Sequence, residues 1–525
     1  MRIQFLLGSI FFFIIFIALG FKWDIYWSIV LFYLPIFLLG IYDMFQKKHA
    51  ICRNFPVIGH FRYIFESIRP EIQQYFVENY EDGRPFTREE RSIVYQRSKK
   101  QLDKVPFGTR KKVYDENYEW MTHSLTKGKV DEDSLYVKVG SSQCHQPYKL
   151  SLLNISAMSY GSLSSRAVEA LNQGAQLGRF AHNTGEGGIS PYHLKGKGDL
   201  IWQIGTGYFG ARDADGNFSK EKFKQKASMD AVKMIEIKLS QGAKPGHGGI
   251  LPAEKVTKEV AEIRGVPEGE SVLSPPTHSA FNGPSELLDY VQLLRELSNG
   301  KPIGFKLCLG RKSELVSIIK TIVDRKIFPN FITLDGGEGG TGAAPLEFTN
   351  SLGTPLYDAL IFLQNLLVGF GVKKEITVIV AGKVISSFDM AKLFSLGADS
   401  CYSARGMMFS LGCIQALRCH NNSCPTGVAT QDKNLIAGLD VEDKANRVFS
   451  FHLNTIKTFS KLLEASGCSK VSDLKPDYFY RRFSGGKAKN FREIYPVCEN
   501  EEYIKESMPD YLNHLWETAK KDAFV

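Results

Sequence analysis

Nothing in the 525-residue chain reads as a nucleic-acid-binding motif, and its charge is nearly balanced. It has 65 Lys and Arg against 56 Asp and Glu, a net charge of +9 spread along the whole sequence. A nucleic-acid surface would gather that charge on one face or one helix. A disulfide framework is also missing. The nine cysteines, at 52, 144, 308, 401, 413, 419, 424, 468 and 498, are odd in number and mostly isolated, which favours a reducing compartment. A dinucleotide fingerprint is absent in substance. GTGYFG at 205–210 matches the glycine spacing, but that fingerprint needs a helix to start there, with its amides facing a pyrophosphate. The turn-forming ARDADGNFSK follows instead.

What the chain does have, first of all, is two long uncharged runs. IQFLLGSIFFFIIFIALGF (3–21) and IYWSIVLFYLPIFLLGIY (25–42) are 19 and 18 residues long. Each is about long enough to cross ~30 Å of hydrocarbon as a helix. Only Lys22-Trp23-Asp24 separates them, so the pair reads as a transmembrane hairpin over 1–45. No small-residue cleavage site of a signal peptide precedes the second run. Lys47, Lys48, Arg53 and Arg62 follow without an acid between them, which places the rest of the chain on the cytoplasmic side. Residues 46–147 are charged. FTREERSIVYQRSKKQLDK (86–104) reads as helix, VPFGTRKKVYDENYEW as a wrapping segment, and the basic residues as a solvated surface rather than a lipid contact.

From 148 the texture changes. Eight short β-branched runs recur, starting at YKLSLLNISAMSYGS (148–162) and ending at DSCYSARGMMF (399–409), with helix-like stretches at 163–177, 285–298, 312–325, 355–369 and 387–396. Alternating strands and helices in that number predict an α/β fold, a (β/α)8 TIM barrel over 148–431, with a doubly wound open sheet as the alternative. Several strands end in Gly, Lys, His or Asp, where a barrel keeps its chemistry. A long connection at 240–284 carries SPPTHSAFNGP, and loops of that length are functional or disordered. The tail, 432–525, reads as a closing helical layer.

Four stretches carry chemistry. DGGEGGTGAAP (335–345) brings backbone amides close to an anionic ligand. AGKV and SARG end the seventh and eighth strands, where barrels often bind phosphate; Gly382, Lys383, Arg405 and Gly406 are the candidates, against a reading as plain βα turns. Lys306, inside the apolar strand IGFKLCLG, either reaches the electron-rich edge of a flavin or emerges at the strand end. Lys244 and Arg264 flank KPGHGG and suit a dicarboxylate, or are surface cations. Cys413, Cys419 and Cys424 stand in CIQALRCHNNSCP. Three thiolates with a following proline fit an iron–sulfur cluster. A zinc site lacks its fourth ligand, since His420 adjoins Cys419 awkwardly; buried inert thiols are the third reading.

Taken together, SAMSYGSLS, NTGEGG, QIGTGYFG, IKLSQGAKPGHGGILP, SPPTH, DGGEGGTGAAP and GCIQALRCHNNSCPTGVATQ resemble, in consistent order over roughly 150–435, the FMN-binding synthase domain of glutamate synthase. The resemblance implies FMN at the barrel mouth and a 3Fe-4S cluster on Cys413, Cys419 and Cys424. It implies condensation of 2-oxoglutarate with ammonia to 2-iminoglutarate, then reduction by the flavin to L-glutamate. By motif position, Met158, Lys244 and Arg264 surround the 2-oxoacid, and Glu186 serves the ammonia end with Lys244 in the catalytic set. Ser159, Lys306, Gly337, Gly382, Lys383, Arg405 and Gly406 fall to the cofactor.

The family loop usually reads KPGEGGQLP, whereas His247 and Ile250 here replace a carboxylate and an amide. Neither a cysteine glutaminase nor a C-terminal β-helical domain is read in the chain. Ammonia is therefore expected from solution or a separate subunit, and electrons from a partner protein or a membrane pool. Two other functions fit the same scaffold: transfer of an amine such as methylamine to give an N-substituted glutamate, and a membrane electron-transfer subunit.

Overall fold

The computed structural model describes residues 1–101, 104–505 and 508–524. Its contacts divide the chain into two bodies, Met1–Glu89 and Glu90–Val525.

In the first body, α1 (Arg2–Gly20) and α2 (Ile25–Phe45) turn back on one another through 21–24. The helices are 19 and 21 residues long, and 18-residue stretches of each have mean hydropathies of 2.5 and 2.0, which makes both long and apolar enough to cross a membrane. Aromatic rings hold the pair together, with Phe12 on Tyr33 at 4.1 Å and Phe13 on Phe37 at 5.1 Å. A Cβ at Gly40 would overlap the Phe5 ring, so glycine admits that contact. A short helix, Ala50–Asn54, and then α3 (His60–Ile72) complete this body.

The second body is built on a closed barrel of eight parallel strands. They are β1 (Leu153–Ile155), β2 (His182–Asn183), β3 (Leu200–Ile204), β4 (Val232–Lys238), β5 (Ile303–Leu307), β6 (Phe331–Asp335), β7 (Thr377–Ala381) and β8 (Ser400–Ser403). Each overlaps one of the eight runs expected from the sequence, with β3 beginning one residue and β4 two residues before its run, and Cys401 of β8 opposite Leu153 of β1 closes the ring. Parallel strands covered on both faces must be apolar throughout; β3, β5 and β6 are buried along their whole length. Helices Ser165–Gly178, Pro284–Leu297, Lys312–Arg325, Leu356–Gly369 and Ser387–Ser395 lie where helical stretches were expected. Side chains start two of them: Ser164 accepts from the Ala167 amide, and Ser386 with Asp389 forms a capping box. A hairpin, Tyr136–Val139 with Tyr148–Ser151, contributes Val139 and Leu150 to a core with Ile201, Met234, Phe331 and Tyr402.

Several local readings are adjusted. The helix expected over 86–104 is Arg88–Ser98, and residues 102 and 103 of that stretch lie outside the described residues. The wrapping segment ends in a strand, Glu119–Met121, which pairs with Phe479–Arg482 of the tail. The tail is therefore part sheet, although its main element is the expected helix, Val441–Ala465. The long connection after β4 is ordered: Ile250–Leu251 pairs with Val272–Leu273, and helix Lys258–Arg264 lies between them.

Candidate active site at the barrel mouth

Strand alternation brings the polar groups into the barrel. Glu236 is fully buried in β4 and accepts from Asn183 Nδ2 (2.9 Å), Gln203 Nε2 (2.7 Å) and Thr333 Oγ1 (2.6 Å). Lys238 stands two residues on, hence on the same face and nearer the mouth. Its register partner across β4–β5 is Lys306. Each ammonium has its own carboxylate: Lys238 Nζ lies 2.7 Å from Glu186 Oε1, and Lys306 Nζ lies 3.1 Å from Asp335 Oδ2.

Glu186, in the turn after β2, is the focus of charge. Burial would raise its pKa, but Lys238, Arg264 and Lys244 together hold it below the ordinary carboxylate value. Gly205 and Gly249 give the carboxylate its room, since a Cβ on either would stand within 2.6 Å and 2.3 Å of its oxygens. Two expected cations gather here. Lys244 is buried, donates to the Ala343 carbonyl at 2.7 Å, and is pushed down to about 8 by desolvation and by Lys238, with Glu186 opposing. Arg264 is brought in by the helix Lys258–Arg264. Its Nη2 donates to Tyr160 O at 3.0 Å, while its Nε is buried without a hydrogen-bond partner. Burial lowers its pKa to about 10. Met158 and Ser159 belong to the half-buried turn after β1, and Ser159 Oγ accepts from the Gly187 amide at 3.1 Å.

His278 of SPPTH supports the cluster from behind. Its Nε2 donates to Lys238 O (2.9 Å), its Nδ1 accepts from Tyr208 Oη (3.1 Å), and that oxygen accepts from the Ala280 amide. Burial lowers the ring's pKa to about 4, so it stays neutral and fixes the end of β4.

Around β6–β8 the glycine-rich turn is tighter than its sequence implies. The Gly336, Gly337 and Gly339 amides donate to Ala381, Thr354 and Gly336 carbonyls, so Gly337 contributes close approach rather than an unengaged N–H. Glu338 folds inward to accept from the Leu356 amide at 3.2 Å, and burial with Asp335 nearby raises its pKa. Arg405 Nη2 donates to Glu338 O at 2.8 Å. Gly382 and Lys383 both hold positive φ, +154° and +49°, and Gly406 is buried, with Ser403 Oγ only 2.4 Å from where its Cβ would stand.

Cys413, Cys419 and Cys424 are all free thiols. Burial raises Cys413 to about 12, with Cys419 and Cys424 adding to the rise. At Cys424 burial is outweighed by the Thr426 hydroxyl and by the Ala429, Thr426 and Val428 amides, which lower its pKa. Among the described residues, the one group of possible ligand atoms lying mutually within 4.8 Å is Asp43, Cys52 and His60. The three thiols do not form such a group.

Sequence reasoning missed Lys255. Its ammonium is buried and donates to the carbonyls of Ser162 (3.3 Å), Cys419 (2.7 Å) and Ala429 (2.8 Å). Gln431 adds a second tie from the cysteine loop, to Gly161 O and Leu163 O. Together they bind the cysteine loop to the turn that carries Met158.

The conserved region in glutamate synthase matches residues 94–469. A glutamate synthase large subunit-like protein of Bacillus subtilis is 38% identical over 496 residues, 86% of this chain and 94% of its own length. An archaeal glutamate synthase (NADPH) of Methanocaldococcus jannaschii is 33% identical over 323 residues, and the match spans 61% of this chain and 60% of that protein. Among solved structures, a doubly substituted flavocytochrome b2 with pyruvate bound aligns over 85% of this chain and 91% of its own, with 13% identity and a TM-score of 0.42.

Proposed function

The chain belongs to the glutamate synthase family of oxidoreductases, and from that premise we propose that it reduces 2-iminoglutarate, formed from 2-oxoglutarate and ammonia, to L-glutamate. One observation carries the substrate. Lys238, Lys244 and Arg264 converge on the single carboxylate of Glu186, and three cations against one anion leave two positive charges for a dianionic 2-oxoacid. Arg264 Nε, buried and unpartnered, supplies a donor in the fork geometry that carboxylates favour.

The residues assign themselves by protonation. Glu186 is held ionised, so it accepts hydrogen bonds from ammonia or ammonium and does not act as an acid. Lys244, at about 8, is the group suited to giving and taking the protons of ammonia addition and water loss near neutral pH. Met158 lines the same mouth.

Two cofactors fit the residues present. Lys306, Ser159, Gly337, Gly382, Lys383, Arg405 and Gly406 would hold FMN, because paired ammonium groups at the strand ends and a cationic rim after β7 and β8 suit an electron-rich ring and a phosphate. FMN so bound, once reduced by the separate donor, would supply a hydride to the imine carbon. Cys413, Cys419 and Cys424 would hold the 3Fe-4S cluster, and the Thr426 hydroxyl with nearby backbone amides lowers the Cys424 pKa. Electrons arrive from a separate donor. The hairpin Met1–Phe45 anchors the enzyme, with the barrel on the cytoplasmic side. Ile250, an apolar residue where the family loop carries an amide, follows Gly249, which faces Glu186, and favours a second reading in which an alkylamine replaces ammonia.

The test is a titration of the purified chain with 2-oxoglutarate, followed by visible and low-temperature EPR spectra. A flavin spectrum perturbed by the keto acid, a three-iron signal, and glutamate formed from ammonium with a reduced dye are expected. Absence of both flavin and iron overturns the proposal. A flavin indifferent to every keto acid and amine points to electron relay instead.

A further inference from the structure

Within Met1–Glu89, the turn of chain after the hairpin is built differently from a solvated connector. Helix α3 (His60–Ile72) runs on into one wide turn, Gln73–Val77, and neither contains a buried residue. Its apolar residues nevertheless follow one face: Phe61, Ile64, Phe65, Ile68, Ile72, Tyr75 and Phe76, at spacings of three and four. Phe65 is 61% exposed and Phe76 85%. The opposite face carries Tyr63, Glu66, Ser67, Pro70 and Gln73, and Arg62 and Arg69 border the apolar stripe. An apolar stripe of this length open to water marks an interaction surface.

The membrane reading of the hairpin supplies an occupant, and the inference rests on that reading. Only fourteen residues separate the end of α2 from the start of α3, four of the intervening or adjoining ones (Lys47, Lys48, Arg53 and Arg62) are basic, and none is acidic. The two helices are tied. Asp43, buried in the last turn of α2, accepts from the Val57 amide at 2.8 Å and from His60 Nε2 at 2.8 Å. The Cys52 thiol also lies near, but both Asp43 oxygens are already engaged, so the group acts as a clasp. Val57 adopts a left-handed backbone, φ +64°, within that clasp. The first residue of α3 is thereby fixed to the final turn of the second apolar helix, where a spanning segment leaves the hydrocarbon.

We propose that α3 and its wide turn lie along the bilayer surface beside the hairpin, with the Phe61–Phe76 stripe sunk into the headgroup–acyl boundary and Arg62 and Arg69 at lipid phosphates. Amphipathic helices with such a stripe and flanking arginines bind membranes in this way. The stripe then serves as a second, in-plane anchor.

A photo-crosslinking amino acid placed singly at Phe11, Phe65, Ile68 or Ser67 of the full-length chain, in anionic proteoliposomes, tests this. Lipid adducts read by mass are expected at positions 11, 65 and 68, with yields at 65 and 68 on the order of tenfold above Ser67 on the polar face. Lipid adducts at 11 with none at 65 or 68 overturn the in-plane anchor and leave the hairpin standing. Protein adducts at 65 and 68 also overturn it, and make the stripe a protein interface. No lipid adduct at any position, 11 included, overturns the hairpin reading together with this one.

Discussion

Lys238 and Lys306 are direct register neighbours on adjacent barrel strands, yet their ammonium groups take different carboxylates, Glu186 and Asp335. Two buried like charges side by side would repel. Separate partners offset the repulsion and divide the mouth in two, a division on which the proposed function sets the 2-oxoacid at the Glu186 side and the cofactor at the Asp335 side.

Removing Lys238 tests the substrate half. Lys238→Met leaves a buried carboxylate with weaker partners, and breaking such a pair costs about 3–5 kcal/mol. Glu186 has a lowered folded-state pKa. Its favourable contribution is therefore present above the unfolded carboxylate pKa of about 4.3 and lost as pH falls through the folded value. The stability gap between wild type and variant in urea should be full at neutral pH and shrink in acid below about 4. A gap unchanged there would remove Lys238–Glu186 as its source.

Lys244 makes affinity depend on alkaline pH. In the proposed role, its amine, with a pKa of about 8, holds the keto acid only while protonated. KM for 2-oxoglutarate, at saturating free ammonia, should be flat below that value and rise as pH increases through it, by up to about tenfold per unit. Lys244→Arg keeps its charge and should flatten the rise, whatever its absolute KM. A wild-type KM constant from pH 7 to 9 would separate Lys244 from the substrate.

The barrel was legible because strand and helix periods are local. All eight runs became strands, and Lys312–Arg325 fell at its expected ends. Glu186, Lys244 and Arg264 were legible through motif order. Lys238 was not, because IKLS reads like any strand that ends in a surface lysine; its meaning lies in Glu186, fifty-two residues away. Lys255 was hidden in the same way in LPAEK, where a charged residue after a proline looks solvated, although its acceptors lie 93 to 174 residues distant. Glu338 hid among glycines that read as an anion cradle. The stripe on α3 was passed over because residues 46–147 read as a charged connector, and its exposure in the fold is what sets it apart.

Lys255 should position the cysteine loop. Lys255→Met leaves three carbonyls without the ammonium, buried at Ala429 and half-buried at Ser162 and Cys419, and hydrogen bonds to charged groups contribute about 1.5–3 kcal/mol each. Because the three share one group, a combined loss of about 2–4 kcal/mol is expected on that scale. Iron per chain and the three-iron EPR signal should fall together, while Lys238→Met retains both. A Lys255→Met chain with full iron would reduce this residue to a packing role.

The loop departures allow a test of which amine is used. Gly249 lies against the Glu186 carboxylate, and Ile250 begins the short strand that pairs with Val272–Leu273. In the alkylamine reading, an apolar residue in this loop favours an alkyl group, where the family's amide would instead offer hydrogen bonds to ammonia. One methyl group in an apolar pocket changes selectivity by about 10–200-fold. Ile250→Gln should therefore raise the ratio of kcat/KM for ammonium to that for methylamine by about tenfold or more. His247→Glu should do less. Its ring packs edge-on against Phe348 at 5.7 Å, and its Nδ1 hydrogen-bonds Gly248 O at 2.9 Å, so the side chain is held within its own loop. Steady-state rates with both amines on both variants separate the two positions. An unchanged ratio in Ile250→Gln would mean that the amine is selected elsewhere in the mouth, and would leave ammonia as the simpler substrate.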